Sequence, residues 1–129
     1  MLKKVMIVEN DEGVLDVMKE ALIYGGFEVE TVKETDNIFP LLEKYDPDIL
    51  LIDYLLNGVN GGEICHQIKT HTKYHNLPVI IISAYLRSGI DSLENYACDA
   101  FISKPFDLYE LIDKVTGLVN RSSYDKHNV

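Results

Sequence analysis

The amino-acid sequence predicts an α/β fold in which helices cover both faces of a doubly wound, five-stranded parallel sheet. Apolar segments of strand length alternate with segments of helical periodicity, and this alternation is typical of parallel sheets with right-handed crossovers. Two segments, 49–52 and 79–82, are unbroken apolar runs, as expected for strands buried on both faces. The 129 residues, 47% of them hydrophobic, suffice for one domain, which we expect at 1–121, followed by a polar tail or linker stub at 122–129.

Five short segments are predicted to form the strands. Four of them are mostly apolar, whereas the second alternates apolar and polar residues, which is typical of a strand near the edge of a sheet. We expect the strands at 4–8, 27–32, 48–53, 79–82 and 100–103.

Helical periodicity follows the first two strands. Apolar residues recur at intervals of three and four until Gly25 and Gly26 stop the first helix, and core packing is the expected role of Val17. A second helix is expected from about 37 to 45, with Pro40 in its first turn, because deeper in the helix a proline would remove a hydrogen bond.

Three more helices are expected in the second half of the chain. One presents Cys65 and its apolar neighbours to the core, and a short one covers about 90–97. The last begins after Asp107, a suitable N-cap residue. Its inner face is expected to carry Leu108, Leu111, Ile112, Val115 and Leu118.

Composition excludes several classes of function. A net charge of −9 at pH 7 leaves no basic stripe that could neutralise nucleic-acid phosphates. No apolar run approaches the roughly 20 residues of a membrane span, and the first run is too short for a signal peptide. Two cysteines do not form a disulfide framework. We therefore expect a cytoplasmic protein that neither binds nucleic acid directly nor inserts into a membrane.

Polar residues follow the ends of four predicted strands. Because parallel strands gather their carboxyl ends at one edge of the sheet, we expect these residues to converge. Unlike charges collected at strand ends favour a functional site over a purely structural one. The residues are Glu9, Asn10 and Asp11 after the first strand, Asp53 at the third, Ser83 after the fourth and Lys104 after the fifth.

Four segments carry a resemblance to a known family. They are Ile-Val-Glu-Asn-Asp-Glu at 7–12, Asp-Ile-Leu-Leu-Ile-Asp at 48–53, Ile-Ile-Ser-Ala at 81–84 and Phe-Ile-Ser-Lys-Pro-Phe at 101–106. Over about residues 3–119 the chain resembles the receiver domain of response regulators in two-component signalling, of the single-domain chemotaxis type. The resemblance implies a flavodoxin-like receiver fold, a phosphoryl donor that is a sensor histidine kinase or a histidine phosphotransfer protein, and a downstream protein target.

The resemblance also implies a role for each matching residue. Asp53 corresponds to the phosphoryl acceptor, and Ser83 and Lys104, followed by Pro105, to the groups that contact the phosphoryl oxygens. Ser83 and Phe101 correspond to the switch residues, although a permanently buried strand aromatic is an equally good interpretation of Phe101. The implied Mg²⁺ ligands are Glu9, Asn10, Asp53 and the backbone carbonyl of Leu55.

Four positions depart from the common pattern of that family. Asn10 replaces an acid, which predicts Mg²⁺ binding weaker by about 1–4 kcal/mol unless Asp11 compensates. Leu55 is apolar where a polar residue is common, which predicts slow self-dephosphorylation. Asn57 replaces a proline and predicts a looser loop, whereas Asp99 replaces a glycine and suggests no function.

Other functions remain to be compared with phosphoryl acceptance. A pseudo-receiver that is not phosphorylated and acts as a protein-interaction module is the main alternative. A phosphatase of similar topology would need a second aspartate where Leu55 stands. His71 and His75 have the spacing of metal ligands on a helix, but an exposed helix end is the favoured interpretation. Any enzymatic activity is at most autocatalytic acceptance of the phosphoryl group and its slow hydrolysis.

Overall fold

A parallel sheet forms the centre of the protein. The computed structural model describes residues 2–56, 59–84, 98–122 and 124. The sheet has five strands in the order β2-β1-β3-β6-β7, and every neighbouring pair is parallel. This confirms the predicted fold class. The strands in the described part of the chain are β1 (Lys4–Val8), β2 (Glu28–Val32), β3 (Ile49–Asp53), β4 (Leu55–Leu56), β5 (Val59–Asn60), β6 (Val79–Ser83) and β7 (Ala100–Ser103), of which β4 and β5 form a separate antiparallel hairpin.

Four helices are present in the described part of the chain, and the segment 90–97, predicted to be helical, lies outside it. The side chains of Asp11, Asn60 and Asp107 cap three of the helices by accepting backbone N–H bonds. None of these helices has the length and apolar character that crossing a membrane requires. They are α1 (Glu12–Tyr24), α2 (Phe39–Tyr45), α3 (Gly61–Lys69) and α4 (Leu108–Arg121).

Two apolar layers lie on opposite faces of the sheet. In β3, the side chains of Leu50 and Ile52 join one layer, with residues of α2 and α3, and those of Ile49 and Leu51 join the other, with residues of α1 and α4. This alternation explains why the strand is apolar at every position from 49 to 52. Both faces of the central strand are covered, as predicted.

Two of the predicted core residues lie at the surface. Val17 is 47% exposed and Leu108 is 40% exposed, so the predictions that they face inward were wrong. The buried stripe of α1 instead includes Leu15 and Met18. The first helix contains two overlapping apolar stripes, and only one of them can face the sheet.

Asp99 joins the starts of two neighbouring strands. Its Oδ2 atom accepts a hydrogen bond from the Val79 N–H group at 2.8 Å, and its own N–H donates to the Val79 carbonyl at 3.0 Å. Lys69 pairs with the same carboxylate at 2.5 Å and donates to the Leu77 carbonyl at 2.7 Å. The residue for which the sequence suggested no function therefore fastens β6 to the segment leading into β7.

We expect Asp99→Ala to lower the free energy of unfolding by about 1–3 kcal/mol, because the Val79 N–H group loses its acceptor and the Lys69 ammonium loses its ion-pair partner. Asp99→Asn keeps an acceptor and should be less destabilising. Urea unfolding followed by circular dichroism measures the difference. Asp16→Ala on the exposed face of α1 is the control, expected within about 0.5 kcal/mol of the parent protein. Equal stability of Asp99→Ala and the parent would contradict this account.

Candidate functional site

The predicted site lies at the carboxyl edge of the sheet. The chain leaves β1 toward β2 on one side and returns to β3 on the other, and the crevice at such a topological switch point is where open α/β sheets bind ligands. Glu9 follows β1, and Asp53 is the last residue of β3. Together with Ser83, the last residue of β6, they are the buried polar residues of the described part of the chain, with exposed fractions of 2%, 8% and 1%.

Lys104 joins the two buried acids. Its Nζ atom donates to Glu9 Oε1 at 2.6 Å and to Asp53 Oδ2 at 2.8 Å. Its backbone N–H donates to the Ser83 carbonyl at 3.0 Å, which fixes the start of the loop after β7. The structure thus brings together four of the residues expected to converge.

The pKa values of this cluster reflect its burial. Burial raises the pKa of Glu9 to about 7, with a further rise from the hydrogen bond and the charge of Asp53, against the lowering effect of Lys104. Burial alone would lower the pKa of Lys104, but its hydrogen bonds to Asp53 and Glu9 raise it above the ordinary value. The ammonium group is therefore charged at neutral pH, while the Glu9 carboxyl titrates there.

Folding raises the pKa of Glu9 above its ordinary value of 4.5. The folded protein consequently binds this proton more tightly than the unfolded chain between pH 4.5 and about 7. The contribution of Glu9 to the free energy of unfolding is largest below that interval and falls as the pH rises through it.

Gly61 allows α3 to begin against Asp53. A Cβ atom at this position would lie 2.1 Å from the carbonyl oxygen of Asp53, closer than any side chain permits. The Gly61 N–H also donates to the Tyr54 carbonyl at 2.7 Å. The sequence analysis assigned no role to this glycine and missed its contact with Asp53. Glycine is a poor helix former, so its position at the start of a predicted helix was the available indication of a close backbone contact.

The segment after β3 also holds the Asp53 side chain. Asp53 Oδ1 accepts a hydrogen bond from the Leu55 N–H at 3.1 Å, while the Leu55 side chain is 49% exposed beside it. Asn57 lies outside the described residues. Together with Lys104 on Oδ2, the Leu55 amide supplies each carboxylate oxygen of Asp53 with a donor.

Asn10 contacts the buried acid Glu9, whereas Asp11 caps α1. The Asn10 N–H donates to Glu9 Oε2 at 3.0 Å, so the residue lies directly beside the buried acid. Asp11 is exposed and uses Oδ1 to accept the Val14 N–H at 3.2 Å as the cap of α1. Helix capping therefore explains this acid, which was expected among the converging residues.

The donor set fits a magnesium ion. Mg²⁺ prefers oxygen ligands and is commonly held by one or two carboxylates, with water or phosphate oxygens completing an octahedron. Glu9 and Asp53 are two carboxylates that share a lysine, and the backbone N–H groups of Asn10 and Leu55 bond to them. The described residues contain no group of three or more histidine, cysteine, aspartate or glutamate residues suited to a metal. The site therefore offers two carboxylate ligands to a magnesium ion.

His71 and Phe101 lie away from the acid cluster. The His71 ring stacks on Phe39 with centroids 4.6 Å apart, and the residue lies beyond the end of α3, so it is not on a helix. Phe101 pairs in register with Ile81 and is half-buried against the α2 and α3 side of the core. The partial burial of its side chain is consistent with both interpretations, a switch aromatic and a permanently buried core residue.

A doubly wound parallel sheet with an aspartate, a second acid, a serine and a lysine at its carboxyl edge defines the receiver class of signalling domains. The model of the response regulator receiver domain family matches residues 5–116, and the chain belongs to this family. The resemblance seen in the sequence is thereby confirmed.

Known proteins agree with this assignment. The phosphate regulon transcriptional regulatory protein PhoB of Rhizobium meliloti is 31% identical over 124 residues, which are 95% of this chain and 54% of that protein. The chain thus spans about half the length of the curated relatives it matches.

Two solved structures share the fold. The receiver domain of the sensor histidine kinase PA1611 of Pseudomonas aeruginosa, which holds a magnesium ion in its active-site cleft, has a TM-score of 0.83 at 19% identity, covering 93% of this chain and 99% of that one. The response regulator TrrA of Thermotoga maritima, in complex with Mg²⁺ and BeF, has a TM-score of 0.80 at 24% identity, covering 91% and 99%. Both of these proteins are therefore known with magnesium bound.

We expect Gly61→Ala to lower the free energy of unfolding by more than about 2 kcal/mol, because its Cβ would overlap the Asp53 carbonyl and force the backbone apart. Gly13→Ala in α1 is the matched control, since a Cβ there meets Asp11 Oδ1 at an ordinary 3.4 Å and should be neutral or stabilising. Urea unfolding of both variants compares them. Similar stabilities would contradict the close approach at Gly61.

We expect the affinity for Mg²⁺ to rise about tenfold between about pH 6 and about pH 8, because Glu9 must lose its proton to coordinate a metal. Isothermal titration calorimetry at the two pH values measures this. Glu9→Gln should bind more weakly and lose this pH dependence, whereas Asn10→Asp should bind more tightly at both values by about 1–4 kcal/mol. An affinity of the parent protein that is equal at both pH values would rule out the titration of Glu9 in this range.

Proposed function

We propose that Asp53 accepts a phosphoryl group from a phosphohistidine of a sensor histidine kinase or a histidine phosphotransfer protein, and that the phosphorylated domain presents a changed surface to a downstream protein. The observation that carries the proposal is the position of Lys104 Nζ, 2.6 Å from Glu9 and 2.8 Å from Asp53. Membership of the receiver family supports it. The complex of TrrA with Mg²⁺ and BeF supports a metal beside the acceptor.

Asp53 would act as the nucleophile. One carboxylate oxygen forms the new O–P bond while the P–N bond of the phosphohistidine breaks, and the imidazole leaves with its electron pair. Such transfers require alignment and neutralisation of charge more than covalent assistance. The Leu55 N–H and the Lys104 ammonium orient the carboxylate at 3.1 Å and 2.8 Å. Mg²⁺, bound by Glu9, Asn10, Asp53 and the Leu55 carbonyl, would neutralise charge on the phosphoryl oxygens.

Phosphorylation would change the balance of charge around Lys104. The phosphoryl group adds roughly −1.5 to −2 charges and three acceptor oxygens close to the ammonium and to Ser83. The Ser83 hydroxyl would donate to one of those oxygens. Movement of Ser83 would leave space into which the half-buried Phe101 turns, and this repacking would alter the surface formed by β7 and α4.

An apolar groove beside the cluster suits a phosphodonor protein. It runs from Lys104 along α1 and the start of α4, between Val14, Val17, Phe106 and Leu108. Val17 and Leu108, which were expected in the core, are instead exposed in its walls. A helix carrying the phosphohistidine could pack its apolar face here and reach Asp53 past Lys104. The groove would serve an unphosphorylated interaction module equally well, so the contacts of Lys104 with Glu9 and Asp53 are what favour phosphoryl acceptance over that alternative.

Incubation with acetyl phosphate and Mg²⁺ should add the mass of one phosphoryl group, detected by intact-mass spectrometry. Asp53→Asn should abolish the increment, and Lys104→Ala should reduce it strongly, because the developing charge would lose its cation. Asp113→Asn, an exposed acid of α4, should react like the parent protein and serves as the control. A parent protein that stays unmodified, or an Asp53→Asn variant that gains the same mass, would rule out the proposal.

We expect Leu55→Asn to hydrolyse its phosphoryl group about tenfold faster than the parent protein, which corresponds to about 1.4 kcal/mol of activation free energy. The exposed apolar side chain of Leu55 cannot orient a water molecule, whereas an amide can. The decay of the phosphorylated mass after removal of acetyl phosphate gives the rate. Leu2→Asn, an exposed leucine outside the site, is the control. An unchanged decay rate in Leu55→Asn would exclude shielding by this residue.

A further inference from the structure

The strands β4 and β5 lie between Asp53 and the start of α3 in the chain. Leu55 of β4 pairs in antiparallel register with Asn60 of β5. The next residue, Gly61, is the first of α3 and packs against the backbone of Asp53. The segment thus closes on itself, and the residues that enter α3 lie beside the residue that ends β3.

One peptide group connects the start of α3 to the Asp53 carboxylate. The carbonyl of this group, on Tyr54, accepts the Gly61 N–H at 2.7 Å. Its N–H, on Leu55, donates to Asp53 Oδ1 at 3.1 Å. Because a peptide group is planar, its carbonyl and its N–H turn together. A rotation that released Gly61 would therefore also displace the donor that orients the carboxylate.

The side chain of Asn60 fixes the first turn of α3. Its backbone is extended, with φ −91° and ψ 120°, and its Oδ1 atom accepts the Gly62 N–H at 2.7 Å and the Glu63 N–H at 3.4 Å. Two glycines open this helix, and glycine is a poor helix former, so the turn depends strongly on its cap. With the bond from Gly61 to Tyr54, the first three N–H groups of the helix all have acceptors.

We propose that Asn60 is a positioning residue for phosphoryl transfer: its side chain holds the first turn of α3 where Gly61 orients the peptide group bonded to Asp53. The inference rests on the proposed function, in which Asp53 is the nucleophile. A nucleophile must present its oxygen in line with the leaving group, and a misplacement of about 1 Å can slow a reaction about 100-fold. Asn60 would act through the backbone and not on the reacting atoms.

A purely structural role of Asn60 has a different consequence. Loss of the cap would then destabilise the whole domain without acting on the Leu55 N–H of folded molecules. Asp107 allows the two roles to be separated, because it caps α4 in the same way, accepting the Tyr109 N–H at 2.7 Å. Asp107→Ala therefore removes a cap of the same kind from a helix that begins after β7 instead of β5.

The first measurement is hydrogen exchange of backbone amides, followed by NMR in the full chain without metal. We expect Asn60→Ala to exchange the Leu55 amide proton about fivefold faster than the parent protein, the factor that loss of a typical helix cap provides. Asp107→Ala should leave exchange at Leu55 unchanged. Both variants should accelerate exchange at Leu51, which is buried in β3 and reports opening of the whole domain.

The second measurement is the rate of phosphorylation by acetyl phosphate at saturating Mg²⁺, followed by intact mass. We expect the rate constant of Asn60→Ala to be about tenfold lower and its half-saturating acetyl phosphate concentration to be unchanged, because the orientation of the nucleophile is disturbed. Asn60→Ser keeps a neutral acceptor oxygen at the cap and should restore both the rate and the slow exchange at Leu55. Asp107→Ala should react like the parent protein.

Unchanged exchange at Leu55 in Asn60→Ala, or equal acceleration there in Asp107→Ala, would overturn the proposal. A phosphorylation rate of Asn60→Ala equal to that of the parent, or no recovery in Asn60→Ser, would do the same. If the parent protein is not phosphorylated, the proposed function fails, and the exchange rates still decide whether Asn60 orients the peptide group at Asp53. Asn60→Gly removes the same oxygen at a smaller cost to the helix and takes the place of Asn60→Ala if that variant does not fold.

Discussion

The ammonium group of Lys104, held between the carboxylates of Glu9 and Asp53, is the interaction on which the site depends. Two acids buried side by side repel each other and lose hydration, and the lysine offsets both effects. Removing one member of such a buried ion pair typically costs about 3–5 kcal/mol, because a charge is left without a partner. The same arrangement raises the pKa of Lys104 and keeps its charge available for a phosphoryl group.

This contact requires a particular order of strands. Glu9 and Asp53 follow adjacent strands, β1 and β3, whereas Lys104 follows β7, with β6 between. Neighbouring strands lie about 4.8 Å apart, so the cation must reach across β6 to the acids. A long, flexible side chain can do so. The sheet order therefore explains why the cation is a lysine.

Much of this arrangement could be predicted from the sequence, because it depends on local patterns. Apolar runs such as that of β3 identify buried strands, and the residues at their ends identify the site. The assignment of Val17 to the core failed because Leu15 and Val17 belong to overlapping stripes, and only packing decides which one faces the sheet. The bond from Asp99 to Val79 and the approach of Gly61 to Asp53 join residues distant in sequence, and residue type alone does not reveal such contacts.

The residue beside Glu9 determines how the charges of the site balance. With Asn10 in this place, two carboxylates face one ammonium, and the cluster is nearly neutral when the Glu9 carboxyl, whose pKa is about 7, holds a proton. A third acid would bind a divalent cation more strongly, but without the cation it would add repulsion that one lysine could not offset. Asparagine would therefore favour a stable metal-free site at the expense of metal affinity. Because Lys104 supplies a permanent positive charge, the chain retains part of the electrostatic support for phosphoryl transfer even where the metal is weakly held.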